Sequence, residues 1–191
     1  IMAGRGSFIE SFPLFGYDLN DYDTLFSEKL ELLLQLRAEE RVTWDGKHRA
    51  ALKDQPVYPR PVQSPIPVWV AVGGTPQSVI RAAMLGLPMA LAIIGGGPER
   101  FVPFVELYRE AWEKAGRDLA TLQVSINSHG FLADSNAEAE ESAFGPYMHQ
   151  MGKIGRERGW PPPTRRQFDA EISKQGALLV GDPERVIDKI L

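Results

Sequence analysis

The feature that most constrains this chain is a repeated order: a short apolar run, a glycine turn, then a helix-forming stretch. Val68 to Val72 is apolar and rich in β-forming residues, Gly73-Gly74 breaks it, and Ser78 to Leu85 follows as a helix closed by Gly86. Pro88 to Ile94 is a second apolar run, broken by Gly95-Gly96-Gly97, with a helix from Glu99 to Ala115 closed by Gly116. Leu122 to Leu132 reads as a third strand and Ala177 to Val180 as a fourth. After the fourth, Asp182 is placed to cap a last helix and Pro183 to occupy its first turn. Strands that alternate with helices pair in parallel, and continuous apolar strands are covered on both faces. The fold class is α/β.

The remaining segments fill in around that core. Residues 1–10 end a strand and enter a Gly-Arg-Gly turn, and Asp21 is placed as an N-cap. Leu25, Phe26, Leu30, Leu33 and Leu36 recur at helical spacing, giving an amphipathic helix of about four turns. Trp44-Asp45-Gly46-Lys47 reads as a turn. Pro56, Pro59, Pro61, Pro65 and Pro67 make residues 54–67 an extended surface connection. Residues 134–174 are mostly helical and polar, interrupted by Gly159-Trp160-Pro161-Pro162-Pro163. The chain opens at what reads as a strand end and stops inside a helix, so the sequence reads as a fragment.

Composition excludes several classes of function. The net charge is -4 and no Lys/Arg stripe occurs, which disfavours nucleic acid and anionic membranes as partners. Cysteine is absent, and His48, His129 and His149 lie far apart, so no metal site is expected. The longest apolar run, Leu87 to Ile94, is far below the roughly 20 residues that span a bilayer. A cytoplasmic location is the default expectation.

In α/β folds ligands bind at the carboxyl ends of the strands. Four such ends are marked here: Gly4-Arg5-Gly6-Ser7, Gly73-Gly74-Thr75, Gly95-Gly96-Gly97 and Gly181-Asp182. The turn from Gly73 to Ser78 runs straight from strand to helix. Glycines let backbone N–H groups approach an anion, the helix start adds partial positive charge, and Thr75 and Ser78 add hydroxyls. The same residues also suit a plain capped turn, with Thr75 as N-cap and Pro76 in the first turn. Arg5 offers a fork for a phosphate, or a surface ion pair. Gly95 to Gly97 either lets a flat ring lie against bare backbone or is a simple flexible turn. His129 is a candidate acid–base or hydrogen-bonding group near a strand end, or a satisfied structural histidine.

The set GRGSF, a leucine-rich helix, PVWVAVGGTPQSV, LGLPMALAIIGGGPERF, INSHGF and GALLVGDPERVIDKIL, in that order, resembles the luciferase-like flavin-dependent monooxygenases over nearly the whole chain. The resemblance implies a partial (β/α)8 barrel holding the fourth to eighth strands. Residues 1–191 would be the C-terminal part of one flavin-binding domain, with 134–176 a helical insertion between the seventh and eighth strands. It implies FMN as cofactor, with Arg5, Gly73, Gly74, Thr75 and Ser78 at its phosphate and Ile94, Gly95 and Gly96 beside it. His129 is a catalytic candidate without a family counterpart. It further implies a small organic substrate, dioxygen, a flavin reductase or NAD(P)H as source of reduction, and a homo-oligomer such as a dimer. Three rivals stay open: a deazaflavin-dependent hydride-transfer enzyme on the same fold, a non-catalytic remnant serving as an interaction module, and an aldolase-like barrel. No lysine stands at any of the four strand ends, which removes the obvious Schiff-base residue from the last.

Overall fold

The structure is a computed structural model, and it describes residues 1–6 and 8–191. Its strands are β1 (Met2–Ala3), β2 (Arg41–Trp44), β3 (Leu52–Pro56), β4 (Trp69–Val72), β5 (Met89–Ala92), β6 (Val124–Asn127), β7 (Gly130–Leu132) and β8 (Leu179–Gly181). The α-helices are α1 (Ser11–Leu14), α2 (Tyr22–Ala38), α3 (Pro76–Leu85), α4 (Val102–Lys114), α5 (Asn136–Arg158), α6 (Arg165–Ile172) and α7 (Pro183–Ile190).

A four-stranded sheet in the order β1-β4-β5-β6 carries the alternation, and every pairing in it is parallel. Register places Val70 beside Met89 and Val72 beside Leu91. These residues are fully buried, against Val79, Ala82 and Ala83 of α3 and Tyr108 and Trp112 of α4. The neighbouring register row, Ala71, Ala90 and Ser125, has small side chains. Gly4 extends that row, since a Cβ there would stand 3.0 Å from the Ala71 Cβ. The fold so far follows the alternation read from the sequence.

The third strand departs from it. The segment expected as one strand from Leu122 to Leu132 is broken at Ser128 and His129. Its first half, β6, pairs with β5, and its second half, β7, pairs in parallel with β8. Stitches hold both sides of the break: the Ser128 hydroxyl donates to the Ile93 carbonyl at 2.9 Å, and the Leu179 N–H donates to the His129 carbonyl at 2.9 Å. β7 and β8 therefore form a separate two-stranded sheet. A second apolar cluster sits on it, built from Ala139, Phe168, Ile172, Leu178 and Val180. Among the described residues the parallel strands fall into these two sheets and do not close into a barrel.

Two further corrections concern the first half. An antiparallel hairpin, β2 and β3, occupies a region read only as turn and extended connection. The expected N-cap at Asp21 is not made by its side chain: its carboxylate accepts from Lys47 Nζ at 2.8 Å. The Asp18 carboxylate instead accepts the Asn20 N–H, opening a single 3-10 turn at Leu19–Asp21 that leads into α2. At the other end, Asp182 caps α7 as read, accepting the Arg185 N–H at 2.8 Å with Pro183 in the first turn.

Candidate functional site

The carboxyl ends of β1, β4, β5 and β6 lie side by side, and the glycine turns after them meet there. Between β1 and β4 is a cleft of about 370 Å³ lined by Arg5, Gly73, Gly74, Thr75, Ser78 and the end of β5 at Ala92. Five residues singled out from sequence thus share one cleft. Ser7, also in that sequence motif, lies outside the described residues.

The geometry of the turn follows from its residues. Gly74 has φ of +126°, a conformation reserved in practice for glycine, and it bends the chain from β4 into α3. Thr75 occupies the N-cap position in extended conformation, yet its side chain does not cap the helix. Its hydroxyl donates to Ser78 Oγ at 2.8 Å and accepts from Arg5 Nη2 at 3.0 Å. Ser78 is almost wholly buried. The first turn of α3 therefore begins with a glycine, with Pro76, and with a threonine hydroxyl turned toward an arginine. The Arg5 guanidinium, the Thr75 and Ser78 hydroxyls and the backbone of Gly73 and Gly74 thus line one volume, the candidate anion cleft.

Arg5 is held from three sides, and its side chain is only 16% exposed. Besides Thr75, its Nη1 donates to the Asp23 carboxylate, and its guanidinium lies 4.6 Å from the centroid of the Tyr22 ring. The Tyr22 hydroxyl donates to the Gly6 carbonyl at 3.1 Å, tying α2 to the β1 turn. Sequence reasoning missed Tyr22 and Asp23. They stand 17 and 18 residues from Arg5 on the first turn of α2, and no local pattern announces their meeting.

The third glycine turn is built differently from the expectation. Gly96 has φ of +78°, and its N–H donates to Glu171 Oε1 at 2.9 Å. The other carboxylate oxygen of Glu171 accepts the Ala177 N–H at 3.1 Å. The turn is thus clamped to α6 and to the approach of β8. Of the Gly95 to Gly97 backbone read as open to a flat ring, the Gly96 amide is engaged inside the protein. Ile94 is exposed, and Ile94 and Gly95 line a smaller hollow beside Tyr147, Trp160 and Glu171.

His129 is separated from the anion cleft. It lines a larger cavity of about 610 Å³ with Ile94, Phe131, Tyr147, Met151 and Phe168. Its ring meets Tyr147 edge-on, with centroids 6.5 Å apart. Burial, and after it the Glu171 carboxylate, push the Tyr147 phenol above its ordinary value, so it stays a proton donor through the neutral range. Ile94, Tyr147 and Met151 line both hollows, while Ala92, two residues before Ile94, lines the candidate anion cleft.

The structure is thus an α/β protein with a polar cleft at the ends of its parallel strands and an apolar cavity beside it. The sequence profile of the luciferase-like monooxygenases matches residues 1–191, and the chain belongs to that family. The chain is 27% identical over 175 residues to an F420-dependent glucose-6-phosphate dehydrogenase of Segniliparus rotundus, covering 85% of this chain and 49% of that protein. Its fold is similar to that of the monooxygenase RslO1 from Streptomyces bottropensis, with TM-score 0.78, 24% identity, and coverage of 100% of this chain and 56% of the other. It is also similar to the oxygenating component of 3,6-diketocamphane monooxygenase from Pseudomonas putida, solved with FMN, with TM-score 0.66, 18% identity, and coverage of 100% and 59%. The chain spans about half the length of these proteins. The family includes both FMN monooxygenases and deazaflavin-dependent oxidoreductases.

Proposed function

We propose that this chain is the phosphate-holding part of a flavin-dependent oxidoreductase that oxidises a small organic substrate. The observation that carries the reading is the hydrogen bond from Arg5 to Thr75, which joins two glycine turns 70 residues apart around one anion-sized cleft. In this reading Arg5, the Gly73–Thr75 backbone and Ser78 hold the phosphate of FMN. Asp23 and Tyr22 keep the guanidinium aimed before the ligand arrives. Ile94 and Gly95 lie beside the extended part of the cofactor, and His129 faces the substrate. The barrel assignment belongs to this proposal: β1, β4, β5, the broken β6–β7 pair and β8 are taken as the fourth to eighth strands, with 134–176 as the insertion. A reductase or NAD(P)H as reductant, dioxygen as oxidant and a dimeric assembly follow from the same reading.

Reduced flavin supplies the redox chemistry when bound, and the protein's share is to bind, orient and keep water out. Arg5 would answer the charge of the phosphate, and the Gly73–Thr75 backbone and the Ser78 hydroxyl would hydrogen-bond its oxygens. The small row of Gly4, Ala71 and Ala90 leaves room against the sheet. Tyr147 and His129 offer a donor and a donor–acceptor at the cavity wall.

A second reading is a deazaflavin coenzyme with hydride transfer, favoured by the cofactor named for the Segniliparus relative. Both coenzymes carry a phosphate, so the cleft suits either. Titrating FMN and a deazaflavin coenzyme separately, and following chromophore fluorescence, separates them. We expect FMN to bind the more tightly, and Arg5→Ala to weaken it by about 1–3 kcal/mol, the loss of a charge-assisted bond. Fluorescence of both chromophores unchanged at millimolar concentration would overturn the proposal and favour an interaction module without cofactor.

A further inference from the structure

The apolar cavity at His129 differs in kind from the anion cleft. No Asp, Glu, Lys or Arg stands among its lining residues. Its walls come from the broken strand at His129 and Phe131, from α5 through Ala143, Tyr147 and Met151, and from Ile94 at the end of the β5 segment. The volume of about 610 Å³ lies within the range of sites that enclose a whole small molecule. Two arginines approach lining rings: Arg158 lies 5.2 Å from the Phe8 centroid, and Arg165 lies 5.7 Å from that of Phe168. Neither arginine side chain lines the cavity. Arg165 is further committed to Asp169 at 2.7 Å and stacks on Phe144.

We propose that this cavity takes a neutral, predominantly apolar organic molecule and selects against phosphorylated or carboxylated ones. The proposal rests on the oxidoreductase reading for the role of that molecule as substrate, but the binding itself does not depend on flavin. The physical reason is desolvation. A phosphate or carboxylate moved into an uncharged apolar cavity loses its hydration without a counter-charge, whereas an apolar molecule gains by leaving water. The polar groups present, namely Tyr147, Gln150, Ser142 and His129, are placed to orient a carbonyl or hydroxyl. Arg5, the cation that the proposed function assigns to a phosphate, lines the other cleft.

The test uses the whole chain and a pair of fluorophores. N-phenyl-1-naphthylamine is neutral and apolar, and 8-anilinonaphthalene-1-sulfonate is its anionic analogue. The neutral probe is expected to bind at least about tenfold more tightly than the anionic one, and millimolar glucose 6-phosphate is expected not to displace it. Met151→Arg is expected to weaken the neutral probe about tenfold or more and to strengthen the anionic one. Ala143→Trp, which fills the cavity without charge, is expected to weaken both. Circular dichroism and the melting temperature identify a variant that fails to fold, and the conservative Met151→Leu is expected to keep the wild-type preference. Equal binding of the two probes, displacement by glucose 6-phosphate, or Met151→Arg binding both probes like the wild type would overturn the assignment. FMN is titrated into the same samples. Selective probe binding without binding of FMN, or of the deazaflavin coenzyme titrated alongside it, would sink the oxidoreductase reading and leave the cavity assignment standing.

Discussion

At the residue scale, Gly73 and Gly74 make opposite demands although they are neighbours. Gly74 needs its positive φ, while Gly73 has no such conformation, and a Cβ on either meets no atom within 4 Å. Gly74→Ala is therefore expected to cost about 1–3 kcal/mol of stability through backbone strain alone. Gly73→Ala is expected to leave stability unchanged or raise it by under about 1 kcal/mol while weakening FMN, because the added methyl stands in the cleft wall. Urea unfolding paired with an FMN titration of both variants checks this, and equal stability losses would contradict it. A second residue speaks through pH. The fully buried Tyr108 phenol donates to the Leu87 carbonyl at 2.7 Å, and burial pushes it up to about 12 against a weaker opposing pull from Arg117. The unfolded chain releases that proton near pH 10 and the folded chain keeps it, so unfolding releases a proton between those values. Stability then falls as pH rises from about 10 to 12, by roughly 2–3 kcal/mol for this group, and is intact below that window. Tyr108→Phe is expected to lack this component. Parallel stability profiles of wild type and variant across the window would show that the phenol is not the source. None of this was legible in sequence, where Tyr108 is one residue in an amphipathic helix.

At the scale of elements, what the sequence announces depends on whether neighbours along the chain or partners across it decide the structure. The units β4–α3 and β5–α4 were readable because apolar runs, glycine breaks and caps are local. The β2–β3 hairpin was not, because Arg41 to Trp44 and Leu52 to Pro56 lack a run of apolar residues. It rests on polar groups instead. Arg41 makes a forked pair with Asp54, with bonds of 2.7 and 2.8 Å, and Asp54 itself adopts φ of +46°. The candidate anion cleft was partly legible, since Arg5, Gly73, Gly74, Thr75 and Ser78 all line it, but Tyr22 and Asp23, which hold Arg5, and Glu171, which holds the Gly96 turn, were invisible for want of any short-range signal. Glu171 joins α6 to the Gly95–Gly97 turn across 75 residues. In Glu171→Gln one oxygen and the charge are lost, so one of the two amides faces an NH2 group. The Gly96 amide is expected to exchange with solvent hydrogen about tenfold faster or more, with Val70 and Leu91 amides unchanged. Uniform acceleration over all three would mean the clamp is global rather than local to the turn.

At the scale of the molecule, membership of the luciferase-like family and the α/β class were within reach of the sequence, because the order of motifs carries them. The division into two sheets was not, since the segment from Leu122 to Leu132, which alternates apolar and polar residues up to Asn127, gives no sign that its halves take different partners. Among the described residues no helix is long and apolar enough to cross a membrane. The two sheets carry two apolar clusters, one under α3 and α4 and the other under α5 and α6. Calorimetry is expected to show two overlapping transitions, and one sharp transition with equal van't Hoff and calorimetric enthalpies would refute that. The broken strand gives this arrangement a mechanical meaning. Val124–Asn127 is laced to one sheet and Gly130–Leu132 to the other, so the two residues between them form a tether that joins the sheets alongside the Glu171–Gly96 bond. His129 sits on that tether and lines the cavity together with Ile94 on one side and Phe131 and α5 on the other, so a molecule that fills the cavity touches both sides of the break at once. Its arrival should be felt as stiffening far from where it touches, and the two melting steps should draw together as it binds.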